Sequence, residues 1–355
     1  MWQGDETQQM TVSVIIPTYN RAGFIAEAVQ SALDQTRAPN EIIVIDDGST
    51  DDTQHVLARF GPPVIVIERA NGGEAAARNS GLRAATGDAV IFLDSDDLLV
   101  PECIERCVQT LEEHPNVGVV YTDAFLCDRE GNRISRYSQE LPGCRPSGMV
   151  LREFTRRNFL TVTSMVRRSC LGDITFEEGM TCCADYDFWR KLAVHCEFQY
   201  LNEPLMCYRF HESMTVSTRL HETLTAEAEV QRRIMEMPEF QTFSKQDQAR
   251  AYCIHGIKRA MLGSTDLARQ NFLRTIRTSP TSLSAYPLLL LSLLGKRPLQ
   301  YAILKRRQLA GNRLGTKAGP LGLLEKQPAR KKHTTKPTAG RIPAEALAAQ
   351  GGRHG

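Results

Sequence analysis

The sequence predicts an α/β fold in which a mostly parallel sheet is flanked by helices and followed by a C-terminal helical extension. Between residues 12 and 93, short apolar runs rich in Val and Ile alternate with segments whose apolar residues recur at helical spacing. Strands that alternate with helices in this way form parallel sheets with right-handed crossovers. After about Arg219 only helical patterns recur, which indicates a separate extension.

Four apolar runs are expected to form the parallel strands, because unbroken runs of this length suit strands that are buried on both faces. They are residues 12–17, 41–46, 64–67 and 89–93. Three helices are expected between them, over residues 25–35, from a cap at Ser49 or Thr50 to Arg59, and over residues 74–85.

The elements after Asp97 alternate less regularly. Helices are expected over residues 101–114 and 185–194, and strands over 117–125, 161–166, 198–201 and 205–210. Residues 128–132 predict a hairpin turn. From Gln139 to Arg157 the periodicity is poor, and we interpret this region as a lid or an acceptor-binding loop.

The remaining helices are expected over residues 222–235, 245–262, 265–278 and 283–294. The predicted organisation is therefore a disordered lead over residues 1–10, one α/β domain over 11–218, the helical extension over 219–310 and a basic disordered tail over 311–355.

The charge of the chain is divided unevenly. The 355 residues carry a net charge of +2, but the stretch from Lys296 onward has fourteen Lys or Arg against two acidic residues. A basic tail on an acidic body indicates an anionic partner for the tail alone. The apolar run over residues 288–294, followed by Lys296 and Arg297, suits an anionic membrane surface. The alternative is a buried helix followed by a solvated tail, and no motif for specific nucleic-acid recognition accompanies the charge.

The N-terminus lacks the basic start and apolar core of a signal peptide, and no apolar run is long enough to span a bilayer. We therefore expect a cytoplasmic protein, with peripheral contact to the inner face of the membrane as a further possibility. The ten cysteines are then expected to be reduced thiols, and their spacing does not resemble that of a zinc site.

An acidic stretch follows the fourth predicted strand directly. Asp94, Asp96 and Asp97 come immediately after the apolar run that ends at Leu93. Ligands of open parallel sheets gather at the carboxyl ends of the strands, and crowded carboxylates favour a bound cation. Oxygen ligands suit Mg²⁺ or Mn²⁺, which commonly bridge to phosphate. The alternative is a solvated acidic turn that caps the helix starting near Pro101.

Polar clusters follow the other predicted strands as well. They are residues 19–21, Asp46 with Asp47, and the turn Asn71-Gly72-Gly73 at the start of a helix. Such a turn allows close approach of a ligand, and a helix N-terminus suits phosphate. Because the carboxyl ends of parallel strands share one edge of the sheet, these clusters together predict a site for a nucleoside diphosphate.

These motifs resemble those of glycosyltransferase family 2, whose members are inverting enzymes of the GT-A fold that use nucleotide-sugars. The matching runs are residues 14–21, 45–51, 71–73, 77–81, 92–97, 185–190 and 208–211. The likeness covers residues 11 to about 218 and implies a GT-A (nucleotide-diphospho-sugar transferase) domain there. It implies little about the helical extension.

The resemblance implies a set of residues that bind the nucleotide-sugar. They are Pro17, Thr18, Tyr19, Asn20, Arg21, Asp46, Asn71, Gly72, Gly73, Arg78, Asp94 and Ser95. Within this set Pro17, Thr18 and Tyr19 would line the uridine pocket, Asp46 would accept a hydrogen bond from the base, and Arg78 would hold the nucleotide. The alternative for Tyr19 is packing at the strand end, and for Arg21 and Arg78 it is pairing with carboxylates.

The resemblance also implies a metal site. Asp96 would ligate the Mn²⁺ or Mg²⁺ that bridges the diphosphate, and Asp94 would face the ribose and the metal. His211 would reach the metal or the diphosphate from the closing strand. The metal would offset charge on the departing nucleoside diphosphate. A lone His is more often a structural residue, which is the alternative for His211.

Inversion needs one base that takes the proton of the acceptor hydroxyl as it attacks the anomeric carbon. By the resemblance this base is Asp185, although Ala184 stands where the family commonly has Glu. The alternatives are an N-cap role for Asp185 and a surface position for Asp187. Trp189 would stack on a sugar or lie in the core.

The expected function is transfer of a sugar from a nucleotide donor, in particular a UDP-sugar, to a hydroxyl of a carbohydrate or lipid-linked acceptor. Cell-envelope polysaccharide or glycolipid synthesis would be the setting. One alternative is a nucleotidyltransferase, but residues 14–21 lack the Gly-rich triphosphate loop that such an enzyme would carry. The other is a nucleotide-sugar-binding module that has lost its chemistry, which Ala184 favours.

Overall fold

The computed structural model describes residues 9–140, 145–160, 163–211 and 219–313. Nine strands are present in these parts of the chain: β1 (Val12–Thr18), β2 (Glu41–Asp46), β3 (Val64–Glu68), β4 (Ala89–Phe92), β5 (Leu98–Leu99), β6 (Val117–Cys127), β7 (Arg133–Arg136), β8 (Ser164–Arg167) and β9 (Glu197–Arg209). They form one sheet in the order β3-β2-β1-β4-β8-β6-β9-β5, with β7 paired to β6.

The helices surround this sheet or follow it. They are α1 (Ile25–Leu33), α2 (Thr53–Leu57), α3 (Glu74–Ala84), α4 (Cys103–Glu113), α5 (Tyr137–Glu140), α6 (Leu151–Phe154), α7 (Ala184–Leu192), α8 (Leu220–Glu236), α9 (Lys245–Met261), α10 (Thr265–Thr278), α11 (Ala285–Leu293) and α12 (Lys296–Arg313).

The predicted fold class is confirmed, with an antiparallel strand inside the sheet. Strands β3, β2, β1 and β4 are parallel, and β6 is parallel to β9. Strand β8 lies between β4 and β6 and runs antiparallel to both. The sheet is therefore mostly parallel, and its first four strands are those that the apolar runs predict.

Alternation along the strands divides the core into two layers. Val14 and Ile16 pack with α1 and α4 on one face, whereas Ile15 packs with α3 and α7 on the other. All residues of β1, β2 and β4 are buried, as expected for strands covered by helices on both faces.

Two sequence-based details are wrong. Helix α2 begins at Thr53, and neither Ser49 nor Thr50 caps it, because both belong to the loop before it. The two strands expected over residues 198–201 and 205–210 are one strand, β9, whose pairing with β6 shifts around Asp123. The hairpin turn is confirmed, since the amide of Gly131 donates to the carbonyl of Asp128 at 3.0 Å and β7 pairs antiparallel to β6.

The predicted lid region contains α6 and the end of α5, and its residues 141–144 lie outside the described part.

The described part of the helical extension contains one more helix than expected. Helices α8 to α11 match the predicted ones, and α12 is an additional helix that reaches Arg313. The predicted lead over residues 1–8 and the predicted tail from residue 314 lie outside the described residues. Within the described residues, no helix combines the length and apolar character needed to cross a bilayer.

Candidate active site

The carboxyl ends of β1, β2 and β4 meet at one edge of the sheet. Thr18 at the end of β1 pairs in register with Asp46 at the end of β2, and Ile15 pairs with Phe92 of β4. The polar clusters that follow these strands are therefore neighbours, as the sequence predicts.

Asp46 combines full burial with an unpaired oxygen. Its Oδ1 accepts from the amide of Ser49 at 3.0 Å, while its Oδ2 has no hydrogen-bond partner within the described part of the protein. The hydroxyl of Thr18, beside it on β1, is also buried without a partner there. Unpaired buried polar atoms are costly, so these two atoms are suited to bind a polar ligand.

The residues at and after the end of β1 differ in exposure. Pro17 is buried within the strand, whereas Tyr19 is 45% exposed, so Tyr19 does not pack at the strand end. Asn20 has a positive φ of 52°, and its Oδ1 accepts from the amide of Thr50 at 2.7 Å. Asn20 therefore holds the loop after β2 against the loop after β1.

The turn Asn71-Gly72-Gly73 is held by Asp47. The Asp47 carboxylate accepts from the amide of Gly72 at 3.0 Å and from that of Gly73 at 2.7 Å, and it lies 3.2 Å from Nη1 of Arg69. In this structure these two amides therefore bind a carboxylate of the protein, and the prediction of a phosphate site at this turn and helix N-terminus stays a prediction. Asn71 is exposed beside them.

Arg78 of α3 is buried and joins several carboxylates. Its Nη2 donates to Asp94 Oδ1 at 2.8 Å and forms a short contact with Glu74, and its guanidinium lies over the ring of Phe176. Burial alone would lower the pKa of Arg78, but the charges of Glu74, Asp94 and Asp185 raise it above its usual value. Arg78 is therefore a permanent cation among carboxylates.

The acidic stretch after β4 is crowded with like charges. Burial raises the pKa of Asp94 to about 7, with Arg78 opposing this effect and Glu74 and Asp96 adding to it. Burial and the neighbouring Asp96 and Asp94 raise the pKa of Asp97 well above its usual range. The amide of Arg209 donates to Asp97 Oδ1 at 2.9 Å.

This stretch does not cap the next helix. Helix α4 begins at Cys103 and its cap position is Glu102, so the alternative of an acidic capping turn is wrong. Ser95 is buried between the carboxylates.

Asp96 contacts His211, which the closing strand β9 delivers. His211 Nε2 lies 3.0 Å from Asp96 Oδ2, and the buried ring stacks on Phe24 with centroids 4.8 Å apart. Arg21 Nε lies 3.6 Å from the same oxygen. Burial would raise the pKa of Asp96, but the hydrogen bond from His211 and the charge of Arg21 lower it.

The predicted metal ligands are only partly assembled. Among the described residues, no group of three or more His, Cys, Asp or Glu is arranged to hold a metal ion. Asp96 and His211 offer one oxygen and one nitrogen at a single point, whereas Asp94 is bound to Arg78. Because Mg²⁺ and Mn²⁺ sites on nucleotides need few protein ligands beside phosphate and water, the Asp96–His211 pair fits such an ion.

Asp185 lies in the first turn of α7 and is not its N-cap. The cap position is Cys183, which adopts a left-handed conformation with φ of 59°. Asn158 Nδ2 donates to Asp185 Oδ2 at 2.9 Å. Burial raises the pKa of Asp185, against the opposing effects of Arg78 and of this hydrogen bond. Arg78, which binds Asp94, therefore also opposes the rise in the pKa of Asp185 through its charge.

The sequence predicts the surroundings of three other residues in this region with different success. Asp187 is fully buried in ion pairs, so its predicted surface position is wrong. Trp189 is fully buried against Phe92, which agrees with the core alternative. Asn158 was missed, because an Asn in a segment without periodicity carries no local signal of what its amide will bind.

The chain is similar in sequence to known proteins. A model of glycosyl transferase family 2 matches residues 13–175. The chain is 34% identical to the chondroitin synthase of Escherichia coli over 209 residues, which cover 56% of this chain and 28% of that protein. It is 30% identical to an uncharacterized glycosyltransferase of Rickettsia typhi over 229 residues, covering 62% of this chain and 71% of the relative. The match thus spans little more than a quarter of the chondroitin synthase.

Solved structures show the same fold. TarS of S. aureus, in complex with UDP-GlcNAc, superposes with a TM-score of 0.62 at 20% identity, over 86% of this chain and 93% of that one. A mannosyltransferase of Pyrobaculum calidifontis, in complex with GDP-Man and Mn²⁺, superposes with a TM-score of 0.52 at 20% identity, over 84% and 86%. Sequence and structure together lead to one conclusion: the chain belongs to glycosyl transferase family 2.

Proposed function

We propose that this chain is an inverting, metal-dependent glycosyltransferase that moves a sugar from a UDP-linked donor to a hydroxyl of a carbohydrate or lipid-linked acceptor. The single observation that carries the proposal is the position of Arg78, a buried cation that binds Asp94 at 2.8 Å and interacts with Asp185. Asp94, assigned to the donor, and Asp185, assigned to the acceptor, thus both lie within the electrostatic influence of one cation, which supports binding of the two substrates side by side.

The donor base is assigned to the pocket beside β1 and β2. The buried Asp46 Oδ2 lacks a partner among the described residues and is available to a ring N–H of a nucleobase. Uracil carries such an N–H, and the neighbouring hydroxyl of Thr18 can donate to a base carbonyl. The complex of the structurally similar TarS with UDP-GlcNAc supports a UDP donor. Pro17, Tyr19 and Asn71 line or border this pocket in the proposal.

The metal is assigned to Asp96 and His211. Their side chains meet at 3.0 Å, and the lowered pKa of Asp96 keeps this carboxylate ionised. A divalent ion held there supplies charge that offsets the departing nucleoside diphosphate. The Mn²⁺ in the complex of the Pyrobaculum mannosyltransferase supports a metal of this type. Arg21, 3.6 Å from Asp96, and Arg78 add positive charge for the same diphosphate.

Asp185 is assigned as the base. Inversion requires a carboxylate that accepts the proton of the acceptor hydroxyl while the oxygen attacks the anomeric carbon. Burial raises the pKa of Asp185, which makes it a stronger proton acceptor than an exposed Asp. Asn158 fixes the orientation of its carboxylate. Because this contact comes from outside α7, Ala184 does not leave Asp185 without support, which argues against a module that has lost its chemistry.

The acceptor is assigned to the cell envelope, as a polysaccharide or glycolipid. The names of chondroitin synthases among the relatives support a polysaccharide. Family membership favours sugar transfer over nucleotidyl transfer, and the described residues contain no feature that favours the latter.

The test is a panel of nucleotide-sugars, with release of nucleoside diphosphate as the readout, in Mn²⁺ and in EDTA. We expect turnover of a UDP-sugar that falls about 100-fold or more without metal. Asp96→Asn should reproduce the loss, whereas Asp173→Asn, an exposed carboxylate elsewhere in the domain, should not. Full turnover in EDTA would remove the metal from the proposal, and binding of donors without any turnover would favour the non-catalytic alternative.

A further inference from the structure

The outer faces of α11 and α12 are apolar where a surface helix is normally polar. Leu290, Leu293 and Leu294 are 64%, 61% and 70% exposed, and Tyr301 and Leu304 are 66% and 55% exposed. These exposed residues are not part of the core of the extension, because each helix has a second face that is buried in that core.

The buried faces of the two helices are formed by other residues. Ala285, Leu288 and Ser292 of α11 are buried, as are Leu299 and Ile303 of α12. Leu288, Leu299 and Ile303 belong to the core cluster that these helices share with α9 and α10. Helix α11 is therefore apolar on both sides, although only one side is covered within the described residues.

The stretch of sequence that contains these two helices carries charge of one sign. Between Asp266 and Glu325 the sequence has ten Lys or Arg and no acidic residue. Lys296, Arg297 and Lys305 are exposed at and beyond the junction of α11 and α12, and the ammonium of Lys305 lies 5.8 Å from the ring centre of Tyr301. Exposed apolar side chains bordered by cations match the interface of an anionic bilayer, where the former enter the acyl boundary and the latter meet the headgroups.

Two other occupants of this surface are a second copy of the chain and residues 314–355 of the same chain. Charge argues against both. A second copy of the chain would bring the same cations face to face. Residues 314–355 contain eight basic and two acidic residues, so they would also add like charge. Large exposed apolar patches on a soluble protein mark an interaction site, and only an anionic partner complements this one.

We propose that α11 and α12 form a docking surface for an anionic phospholipid bilayer, through Leu290, Leu293, Leu294, Tyr301 and Leu304 with Arg297 and Lys305 beside them. This surface lies on the helical extension, whereas the residues of the proposed active site belong to the α/β part of the chain and to His211, which follows it. The protein would then be held at a membrane by one part of the chain while another part performs the transfer.

The test is co-sedimentation of the full chain with vesicles of phosphatidylcholine alone or with about one third phosphatidylglycerol. We expect binding to the anionic vesicles only, and at least a tenfold loss in Leu290→Ser/Leu293→Ser/Leu294→Ser, since each buried Leu contributes strongly. Arg297→Gln/Lys305→Gln should bind the anionic vesicles about tenfold more weakly than the parent, or weaker still. Ile134→Ser is the matched control, because Ile134 is 59% exposed on β7 and should bind like the parent.

Equal binding of the triple Leu variant and the parent would overturn the proposal, as would equal binding to neutral and anionic vesicles. Sedimentation velocity supplies the competing outcome: a dimer that the triple variant dissociates, without vesicle binding, would assign the surface to a second copy. Circular dichroism of each variant verifies folding, which is expected to persist because every substituted side chain is exposed. No substrate is needed, so failure here is distinct from failure of the proposed transferase activity.

Discussion

Asp185 and Asp187 lie two residues apart on α7 and face opposite electrostatic surroundings. Asp187 is fully buried, with Arg190 Nη2 at 2.7 Å, Lys191 Nζ at 2.9 Å and Arg233 Nη1 at 3.1 Å. Asp185 is half-buried and accepts a hydrogen bond from the side chain of Asn158.

The pKa values of the two carboxyl groups move in opposite directions. Burial would raise both, and it does raise the pKa of Asp185, but Arg190 and Lys191 lower the pKa of Asp187. The cation near Asp185 is Arg78. Because Arg78 also interacts with Glu74 and Asp94, it offsets only part of the negative charge of Asp185. The comparison teaches that burial alone does not set the pKa of a carboxyl group; the pKa rises where neighbouring cations are too few to offset the effect of burial.

The largest expected effect is on catalysis, in Asp185→Asn. The amide keeps the shape of the side chain but cannot accept the proton, so sugar transfer should fall by about 10²- to 10⁴-fold. Affinity for the nucleotide should be retained, and stability should not decrease, because burial disfavours the charge that is removed. Transfer assays and calorimetric titration with UDP measure these quantities. Full transfer by this variant would remove the base assignment.

The next effect is on stability, in Asp187→Asn. Removing one partner of a buried ion-pair cluster typically costs about 3–5 kcal/mol, and here it leaves cations of α7 and α8 without their shared carboxylate. The transfer rate of the folded fraction should be little changed, which is the reverse of the result for Asp185→Asn. Urea unfolding at pH 7 measures the loss.

The matched control for this variant is Glu177→Gln. Glu177 is 46% exposed and lies 3.7 Å from Lys191 and 3.9 Å from Arg233, so it contacts two of the same cations. An exposed ion pair stabilises a protein by about 1 kcal/mol at most, so Glu177→Gln should lower the free energy of unfolding by no more than that. Equal losses in both variants would contradict the distinction between them.

The pH dependence of stability has a definite sign at Asp187. Its folded pKa lies below the model-peptide value of 3.8, so its contribution is complete above that pH and is lost as the pH falls through the lower folded pKa. The difference in unfolding free energy between the parent and Asp187→Asn should therefore shrink in strong acid.

The sequence predicts the sheet better than it predicts contacts between distant segments. The parallel strands follow from apolar runs, which are local. Strand β9 reads as two strands because Asn202 and Pro204 interrupt it, yet Pro is tolerated where the pairing shifts, as it does here. Helix α12 is not among the predicted helices. Its Pro298 falls in the first turn, where a missing amide hydrogen costs nothing.

In the candidate site as well, the sequence does not predict contacts between distant segments. Motifs identify the residues of the acidic stretch, but they do not reveal that Asp47 binds the amides of Gly72 and Gly73, 25 and 26 residues away. They also give Asp187 a surface position, because Arg233 approaches it only after α8 packs on α7. Which carboxylate is paired is decided by tertiary structure, and that decision separates a base from a structural anchor.

The smallest expected effect is in Asn158→Ala, and it tests how the surroundings of Asp185 set its pKa. Asn158 Nδ2 donates to Asp185 at 2.9 Å, and its own Oδ1 accepts from the amide of Leu160 at 3.2 Å, which fixes the orientation of the amide. This hydrogen bond favours the ionised carboxylate, so its loss should raise the pKa of Asp185 further. Because only ionised Asp185 accepts the proton, the acid limb of kcat should move to higher pH.

Above that limb, transfer by Asn158→Ala should fall about tenfold, as expected for one lost hydrogen bond to a charged group. Asn116→Ala, which removes an exposed amide directly before β6, should leave the pH profile unchanged. A purely structural role of Asn158 would lower activity at every pH without moving the limb. A limb that stays in place or moves to lower pH would show that the hydrogen bond from Asn158 does not set the basicity of Asp185, and the contrast with Asp187 would then rest on the count of neighbouring cations alone.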